Sequence, residues 1–299
     1  MKYYSRGKLL LTGEYFVKIG AKAFALPSKF GQSLFYTHQK ERYINWESYD
    51  KENNIWFKTK ICCRNFNTIT SMNEKISKNL SKILKIAREL NPKFLLLEGA
   101  KVKTKLEFNI NWGLGSSSTL ISNIADWANV DPYKLLEKTF GGSGYDIACA
   151  KSNKPIIYSL EKSTPKIVKC EFNPSFKNSI FFVYLNKKQN SMIELKKFME
   201  LKKVTKESSR QISSISQEIV LTNKLEDFEK LINEHEQITK RILKKKTIKD
   251  EFFSDFNGSI KSLGAWGGDF ILATGNQNNQ NYFYQKGFKT IFNYSEIII

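Results

Sequence analysis

Four stretches of the chain carry residue types that could do chemistry. The most suggestive is Asn111-Trp112-Gly113-Leu114-Gly115-Ser116-Ser117-Ser118-Thr119. Its two glycines let a backbone approach a ligand closely, and successive N–H groups at a turn leading into a helix form a cradle for anions. The three serine hydroxyls can cap that helix or reach a phosphate and its metal. No Gly-Lys-Ser/Thr ends the stretch, so it is not a Walker loop, and the third glycine of a dinucleotide fingerprint is missing. A plain glycine turn with a serine cap is the structural alternative.

The second stretch is Gly141-Gly142-Ser143-Gly144-Tyr145-Asp146-Ile147-Ala148, three glycines around one carboxylate. Asp146 could accept a proton from a substrate hydroxyl or orient it for attack. It could equally be a helix cap. The third, Ser262-Leu263-Gly264-Ala265-Trp266-Gly267-Gly268-Asp269-Phe270, runs a glycine cluster straight into an apolar strand. Such a loop can reach the phosphate end of a ligand, or be a tight turn with an aromatic plug. The fourth is the opening Ser5-Arg6-Gly7-Lys8-Leu9-Leu10-Leu11-Thr12-Gly13-Glu14-Tyr15. Lys8 at the foot of an apolar strand could lower a nearby hydroxyl pKa or neutralise developing charge; edge-strand protection is the other account.

The elements that must position these stretches read as mixed α/β. Strands are expected over Lys8 to Thr12, Ala21 to Leu26, Gln32 to His38 and Glu52 to Lys60, punctuated by Gly and Pro. A helix runs from about Asn73 to Leu90, where Asn91-Pro92 stops it. From 101 to 110, Val102, Thr104, Leu106, Phe108 and Ile110 alternate with charged or amide side chains, giving one buried and one wet face. Helices are expected over Ser117 to Ala128 and Pro132 to Thr139, and a strand over Pro155 to Leu160. Beyond about Lys162 the composition shifts: a strongly apolar strand at Ile180 to Leu185, then mostly charged helix over 191 to 262. Strands follow at Phe270 to Ala273 and Thr290 to Tyr294, with an Asn/Gln-rich stretch at 276 to 281. Two domains result, 1–165 and 166–299.

With 299 residues and 41% hydrophobic composition the chain can bury a substantial core. Its formal net charge of +19 attracts anions, but only 6 of the 48 cationic side chains are Arg. Base-edge readout prefers Arg, so a nucleic-acid binder is disfavoured. The runs Lys202-Lys203 and Lys244-Lys245-Lys246 read as solvated helix faces. The four cysteines show no CxxC spacing and there are two histidines, which supports neither a zinc site nor a disulfide framework. No run is long enough to span a membrane, and the Leu9-Leu10-Leu11 run is too short for a signal-peptide core, so a soluble, cytoplasmic protein without a membrane partner is expected.

In this order and spacing, the four stretches resemble the GHMP kinase superfamily, the small-molecule kinases of galactose, homoserine, mevalonate and phosphomevalonate. Gly7-Lys8 to Tyr15 is similar to its N-terminal motif, Gly113 to Ser117 to its phosphate loop, and Gly264 to Asp269 to its C-terminal glycine-rich motif. Gly144-Tyr145-Asp146-Ile147-Ala148 matches the bacterial GYDIA group. Gly13-Glu14-Tyr15, Ser143 to Ala148 and Gly267-Gly268-Asp269 lean toward phosphomevalonate kinases. Two features depart from that pattern: Asn111-Trp112 stands where a Lys often precedes the loop, and Trp266 replaces a glycine.

The resemblance implies an N-terminal α/β domain, a C-terminal ferredoxin-like α/β domain and an active site between them. It implies that backbone amides of Gly113, Leu114, Gly115, Ser116, Ser117 and Ser118 hold the phosphates of ATP, that Ser117 and Glu137 help hold Mg²⁺, and that Asp146 is the base or orienting carboxylate. Lys8 would polarise the acceptor hydroxyl, while Glu14, Tyr15, Gly267, Gly268 and Asp269 would contact substrate. The chemistry is consistent, because phosphoryl transfer needs positioning and charge neutralisation more than covalent help. The acceptor implied is a small hydroxy- or phospho-acid, most like phosphomevalonate, with mevalonate or another acceptor as alternatives. A non-catalytic sensor of the same fold is the rival from another class, favoured by Trp266 and Asn111. Monomer and homodimer both remain open.

Overall fold

The computed structural model describes residues 1–188, 191–201, 205–264 and 266–299. Lys202 and Lys203, read above as a solvated face, and Ala265 of the third stretch lie outside the described residues. The chain divides into two compact units, one of residues 1–7, 30–110 and 114–151, the other of residues 8–29, 111–113 and 152–299.

The first unit takes the opening part of β1 (Lys2–Thr12) and the latter part of β2 (Ala23–Gln39). It continues through β3 (Tyr43–Tyr49), β4 (Ile55–Cys62), β5 (Thr68–Ser71), α1 (Glu74–Leu90), β6 (Gly99–Leu106), α2 (Ser116–Ala128), α3 (Pro132–Thr139) and α4 (Tyr145–Ala150). Its strands run in the order β5-β4-β3-β6-β2; β3 and β6 are parallel and the other pairs antiparallel. The alternation read in β6 holds: Val102, Thr104 and Leu106 are buried and Lys101 and Lys103 exposed. Helix α1 starts where Asn73 accepts the Ile76 N–H at 3.1 Å, and it buries Leu80, Ile83, Leu84 and Ala87. These residues join Trp46, Phe57, Val102, Ile121 and Ile124 in one core. Helix α2 is fixed by polar bonds as well. Asn123 donates to the Gln32 carbonyl at 2.8 Å and accepts from Ser5 at 2.8 Å, and Thr119 donates to Gln32 Oε1 at 2.7 Å. Because these groups are buried, each would be costly to leave unpaired, so the helix carrying the serines is held in register.

The second unit adds β7 (Ile156–Glu161), β8 (Thr164–Lys169), β9 (Ile180–Tyr184), α5 (Ser191–Met199), α6 (Lys206–Leu221), α7 (Leu225–Leu243) and α8 (Ile248–Phe252). It closes with β10 (Ile260–Ser262), β11 (Phe270–Thr274), α9 (Gln277–Gln285), β12 (Ile291–Asn293) and α10 (Tyr294–Ile297). Residues 23–25 of β2 pair with β7, which pairs with β8. A separate antiparallel sheet has the order β10-β11-β9-β12. Strand, helices, two strands, helix, strand, with the first strand central, is the split βαβ arrangement of a ferredoxin-like domain. Its core is aromatic, built on Phe181, Phe253, Phe256 and Phe283.

Several expectations change. The strands expected over Ala21 to Leu26 and Gln32 to His38 are one strand, β2. Gly31, read as punctuation, instead allows close approach: a side chain there would collide with the Ser5 carbonyl and the Tyr4 ring. Strand β1 begins at Lys2, so Lys8 stands inside a strand and not at its foot. The Asn/Gln-rich stretch is the start of α9, with Asn276 as its cap and Phe283 buried. Strands β3, β5 and β8 were not read from the sequence at all, and β10 falls at the end of the 191–262 stretch expected to be mostly helix. In β3, the buried face Ile44, Trp46 and Ser48 alternates with half-buried Asn45 and Glu47, a pattern blurred by its aromatic and polar mixture.

Candidate active site

Within the second unit, residues of the first, third and fourth chemistry-bearing stretches meet. The half-buried Lys8 donates from Nζ to the Gly113 carbonyl oxygen at 3.1 Å. Gly113 has φ +66°, and a Cβ built on it would stand 2.5 Å from Asp269 Oδ2. Only glycine suits both the left-handed backbone and the contact. Asp269 is 9% exposed and itself left-handed at φ 55°. Its backbone is clamped in the mouth of the sheet: its N–H donates to the Lys187 carbonyl at 2.7 Å, and its carbonyl accepts from Leu185 at 2.8 Å. The Trp112 ring packs edge-on to Phe270 and Phe292, with centroids 6.2 and 5.1 Å away, and anchors the loop from its other side. An ammonium, a carboxylate and a left-handed glycine turn thus share one place.

Gly267 is half-buried and Gly268 buried, just before Asp269. Trp266, which stands where a glycine was expected, is buried and holds the loop by two bonds. Its backbone N–H donates to the Tyr15 hydroxyl at 2.7 Å, and its indole Nε1 donates to the Lys246 carbonyl at 3.1 Å. Tyr15 stacks on Phe198 with centroids 5.2 Å apart, and burial raises its hydroxyl pKa.

Glu14 points into the interior, at 4% exposure. Lys261 Nζ lies 2.8 Å from its Oε1 and His235 Nε2 lies 3.1 Å from its Oε2. Lys261 also reaches Glu236 Oε1 at 3.3 Å and donates to the Ser262 carbonyl at 3.0 Å. All four side chains are buried. Burial alone would push the Glu14 carboxyl up, but the Lys261 ammonium holds it below its ordinary value. Burial pushes Glu236 up to about 7, opposed by Lys261 and reinforced by the Glu14 charge. Burial, then Lys261, push His235 down, which keeps its ring neutral near pH 7. The Gly13 N–H donates to His235 Nε2 at 3.0 Å, which assigns the ring proton to Nδ1, 3.5 Å from the Thr239 hydroxyl. The Gly13–Tyr15 turn is therefore tied to α7 and β10. Sequence reading found Glu14 but missed His235, Glu236 and Lys261. A Lys in the middle of the short strand β10 was the available signal.

Within the first unit, Leu114 is fully buried and Gly115 enters α2 at φ 88°. Among the described residues no side chain caps the start of this helix. Its first amides, from Ser116, Ser117 and Ser118, are therefore the groups that an anion would meet. Ser117 is exposed and Ser116 and Ser118 are half-buried. Asp146 is half-buried in the first turn of α4, after Gly144 at φ 86°, and α4 buries Ile147 to Ala150 while packing on α2. Glu137 is exposed on α3, which also packs on α2. Asp146 and Glu137 thus stand on two helices that each pack on α2, the helix of the serines.

The residues fit the groups that the resemblance implies. An uncapped helix start after a glycine turn suits a polyphosphate. Among the described residues no group of three or more His, Cys, Asp or Glu side chains could hold a metal by itself. A hydroxyl and one or two carboxylates are nevertheless the oxygen donors Mg²⁺ takes when phosphates complete its shell. Among the described residues no helix is long and apolar enough to cross a membrane.

No family model matches the sequence, and no curated protein does. Solved structures do match over nearly the whole chain. The mevalonate kinase of Methanococcus jannaschii superposes with a TM-score of 0.72 at 17% identity, covering 98% of this chain and 96% of that one. A Streptococcus pneumoniae phosphomevalonate kinase in complex with phosphomevalonate and AMPPNP gives 0.72 at 14% identity, covering 98% and 99%. The Lactococcus lactis galactokinase complexed with galactose gives 0.66 at 14%, covering 97% and 92%. The chain has the α/β fold of the GHMP kinases, with its ferredoxin-like C-terminal sheet.

Proposed function

We propose that the protein is an ATP-dependent small-molecule kinase that transfers the γ-phosphate of ATP to an acceptor hydroxyl, and that its acceptor is a small acid of the phosphomevalonate or mevalonate kind. The observation that carries this reading is the glycine turn at 113. It gathers Lys8 and Asp269 and leads within three residues into a helix whose first amides no side chain caps.

In this reading the amides from Gly113 to Ser118 hold the phosphates of ATP. Asp146 takes the acceptor's hydroxyl proton or aligns that hydroxyl, and Lys8 offsets negative charge that develops as the phosphoryl group moves. Ser117 and Glu137 are the residues that would hold Mg²⁺, which supplies charge neutralisation of the phosphates. Glu14 contributes by fixing the turn before Tyr15, since its carboxylate is engaged by Lys261. The likeness to kinases of both acids and a neutral sugar supports the reaction class more than the acceptor.

The test is acceptor-dependent ADP release by the purified protein, with mevalonate, 5-phosphomevalonate and galactose compared. Turnover with one of the acids supports the proposal. AMPPNP binding without turnover on any acceptor favours the sensor reading, for which the buried Trp266 plug in the third loop is the structural argument.

A further inference from the structure

Beside the Trp266 loop the second unit holds a cavity of about 540 Å³, the size of small-ligand pockets. Lys187, Lys245, Lys246, Trp266 and Phe252 line it, with Glu251 as its one acidic residue. Lys245 is neutralised by Glu194 at 2.9 Å. Among the described residues, the ammonium groups of Lys187 and Lys246 have no ion-pair partner. We propose that this cavity is an anion pocket, in which Lys187 and Lys246 receive the carboxylate or phosphate of a small organic acid while Trp266 and Phe252 cover its carbon chain.

Three bonds make it a built pocket and join it to the candidate active site. The Trp266 indole donates to the Lys246 carbonyl and so fixes the backbone from which that lysine projects. The Trp266 N–H is bound by Tyr15. The Lys187 carbonyl accepts from the N–H of Asp269, the residue that meets Gly113. Two unpaired ammonium groups against the single Glu251 carboxylate leave this partly apolar wall with a net positive charge, which favours a ligand with an anionic end over a neutral one. A sugar would leave that net positive charge unmatched. Phe252, 56% exposed, gains apolar contact when the cavity fills. The pocket rests on the kinase reading only for its role, as the seat of the acceptor's acidic end; binding of the acid does not depend on turnover.

Calorimetric titration of the protein with 5-phosphomevalonate, mevalonate and galactose, in the absence of nucleotide, tests it. Both acids are expected to bind and galactose not to, with affinity falling as KCl rises. A preference for 5-phosphomevalonate over mevalonate identifies phosphate as the bound group, and equal affinity identifies the carboxylate. The Lys187→Ala/Lys246→Ala variant, altered only at exposed side chains, should lose at least tenfold in acid affinity while binding AMPPNP as the parent does. Unchanged acid affinity in the variant, equal binding of galactose, or no binding of either acid overturns the proposal. Failure of the parent to bind AMPPNP overturns the kinase reading instead, and leaves the pocket to be judged by the acid titrations.

Discussion

The Lys8 ammonium donates to the carbonyl of Gly113, 105 residues away in sequence, at 3.1 Å. That bond uses the backbone of a residue whose missing side chain is needed elsewhere, because the Asp269 carboxylate fills the space where a Cβ would go. Lys8 thus reads the position of the 113 turn, and Asp269 polices its identity. The two charged groups keep the same loop in place from different sides.

Gly113→Ala should therefore cost more than its backbone conformation alone explains. Forcing alanine to φ +66° costs about 1 kcal/mol, and displacing the buried Asp269 carboxylate adds about 1–2 kcal/mol. Gly141 is the control, since its φ is +69° but nothing stands within 4 Å of its added Cβ. Urea unfolding of the two variants should place Gly113→Ala clearly below Gly141→Ala. Equal midpoints would show that Asp269 yields freely and that the contact has no structural weight.

Replacing Asp146 with Asn should lower kcat by about 10²–10⁴-fold, the range for loss of a positioned acid–base group. The side chain sits at a half-exposed first turn, so the fold and the α2 amides should be undisturbed. AMPPNP titration should return the parent's Kd. A variant with parental kcat would remove Asp146 from the chemistry and leave it as a helix-start residue.

The sequence carried the parts of this site that are local. Glycine spacing at 113 and 115 announced a turn, and the starts of α1 and α3 followed from Asn73 and Pro132, whereas α2 starts after Gly115 without the serine cap the sequence offered. The alternation in β6 announced its buried face. What could not be read is what depends on partners distant in sequence. Gly31 breaks nothing, because its role is set by Tyr4 and Ser5 on another strand. Trp266, an anomaly for an open loop, makes sense only once its indole is seen to reach Lys246. Lys261 looked like any lysine in a basic chain, though Glu14 and Glu236 make its burial tolerable.

Lys261→Met tests that last statement. The substitution keeps the volume but leaves the Glu14 and Glu236 carboxylates buried without their shared cation. Removing one partner of a buried ionic group typically costs about 3–5 kcal/mol. The urea midpoint should fall accordingly, and adding Glu14→Gln should recover part of the loss by removing an orphaned charge. A Lys261→Met protein as stable as the parent would mean that the cluster contributes nothing net.

Glu236 makes the stability of this cluster depend on pH in a direction unusual for a carboxylate. In the folded chain its carboxyl holds a proton up to about 7, against 4.5 ordinarily, because burial outweighs the attraction of Lys261. The folded state therefore binds more protons than the unfolded state between those values. The resulting stabilisation is complete below about 4.5 and is lost as pH rises through 7. Glu14 and His235, both shifted downward, act in the opposite sense and lose their contribution as pH falls. Glu236→Gln removes only the first effect, since glutamine can still accept from Lys261 but cannot ionise. Relative to the parent, the variant should gain stability steadily from pH 5 to pH 8, by about 2–3 kcal/mol over the window. Urea midpoints at four pH values measure the difference, and a gap that stays constant with pH would show that Glu236 is ionised throughout.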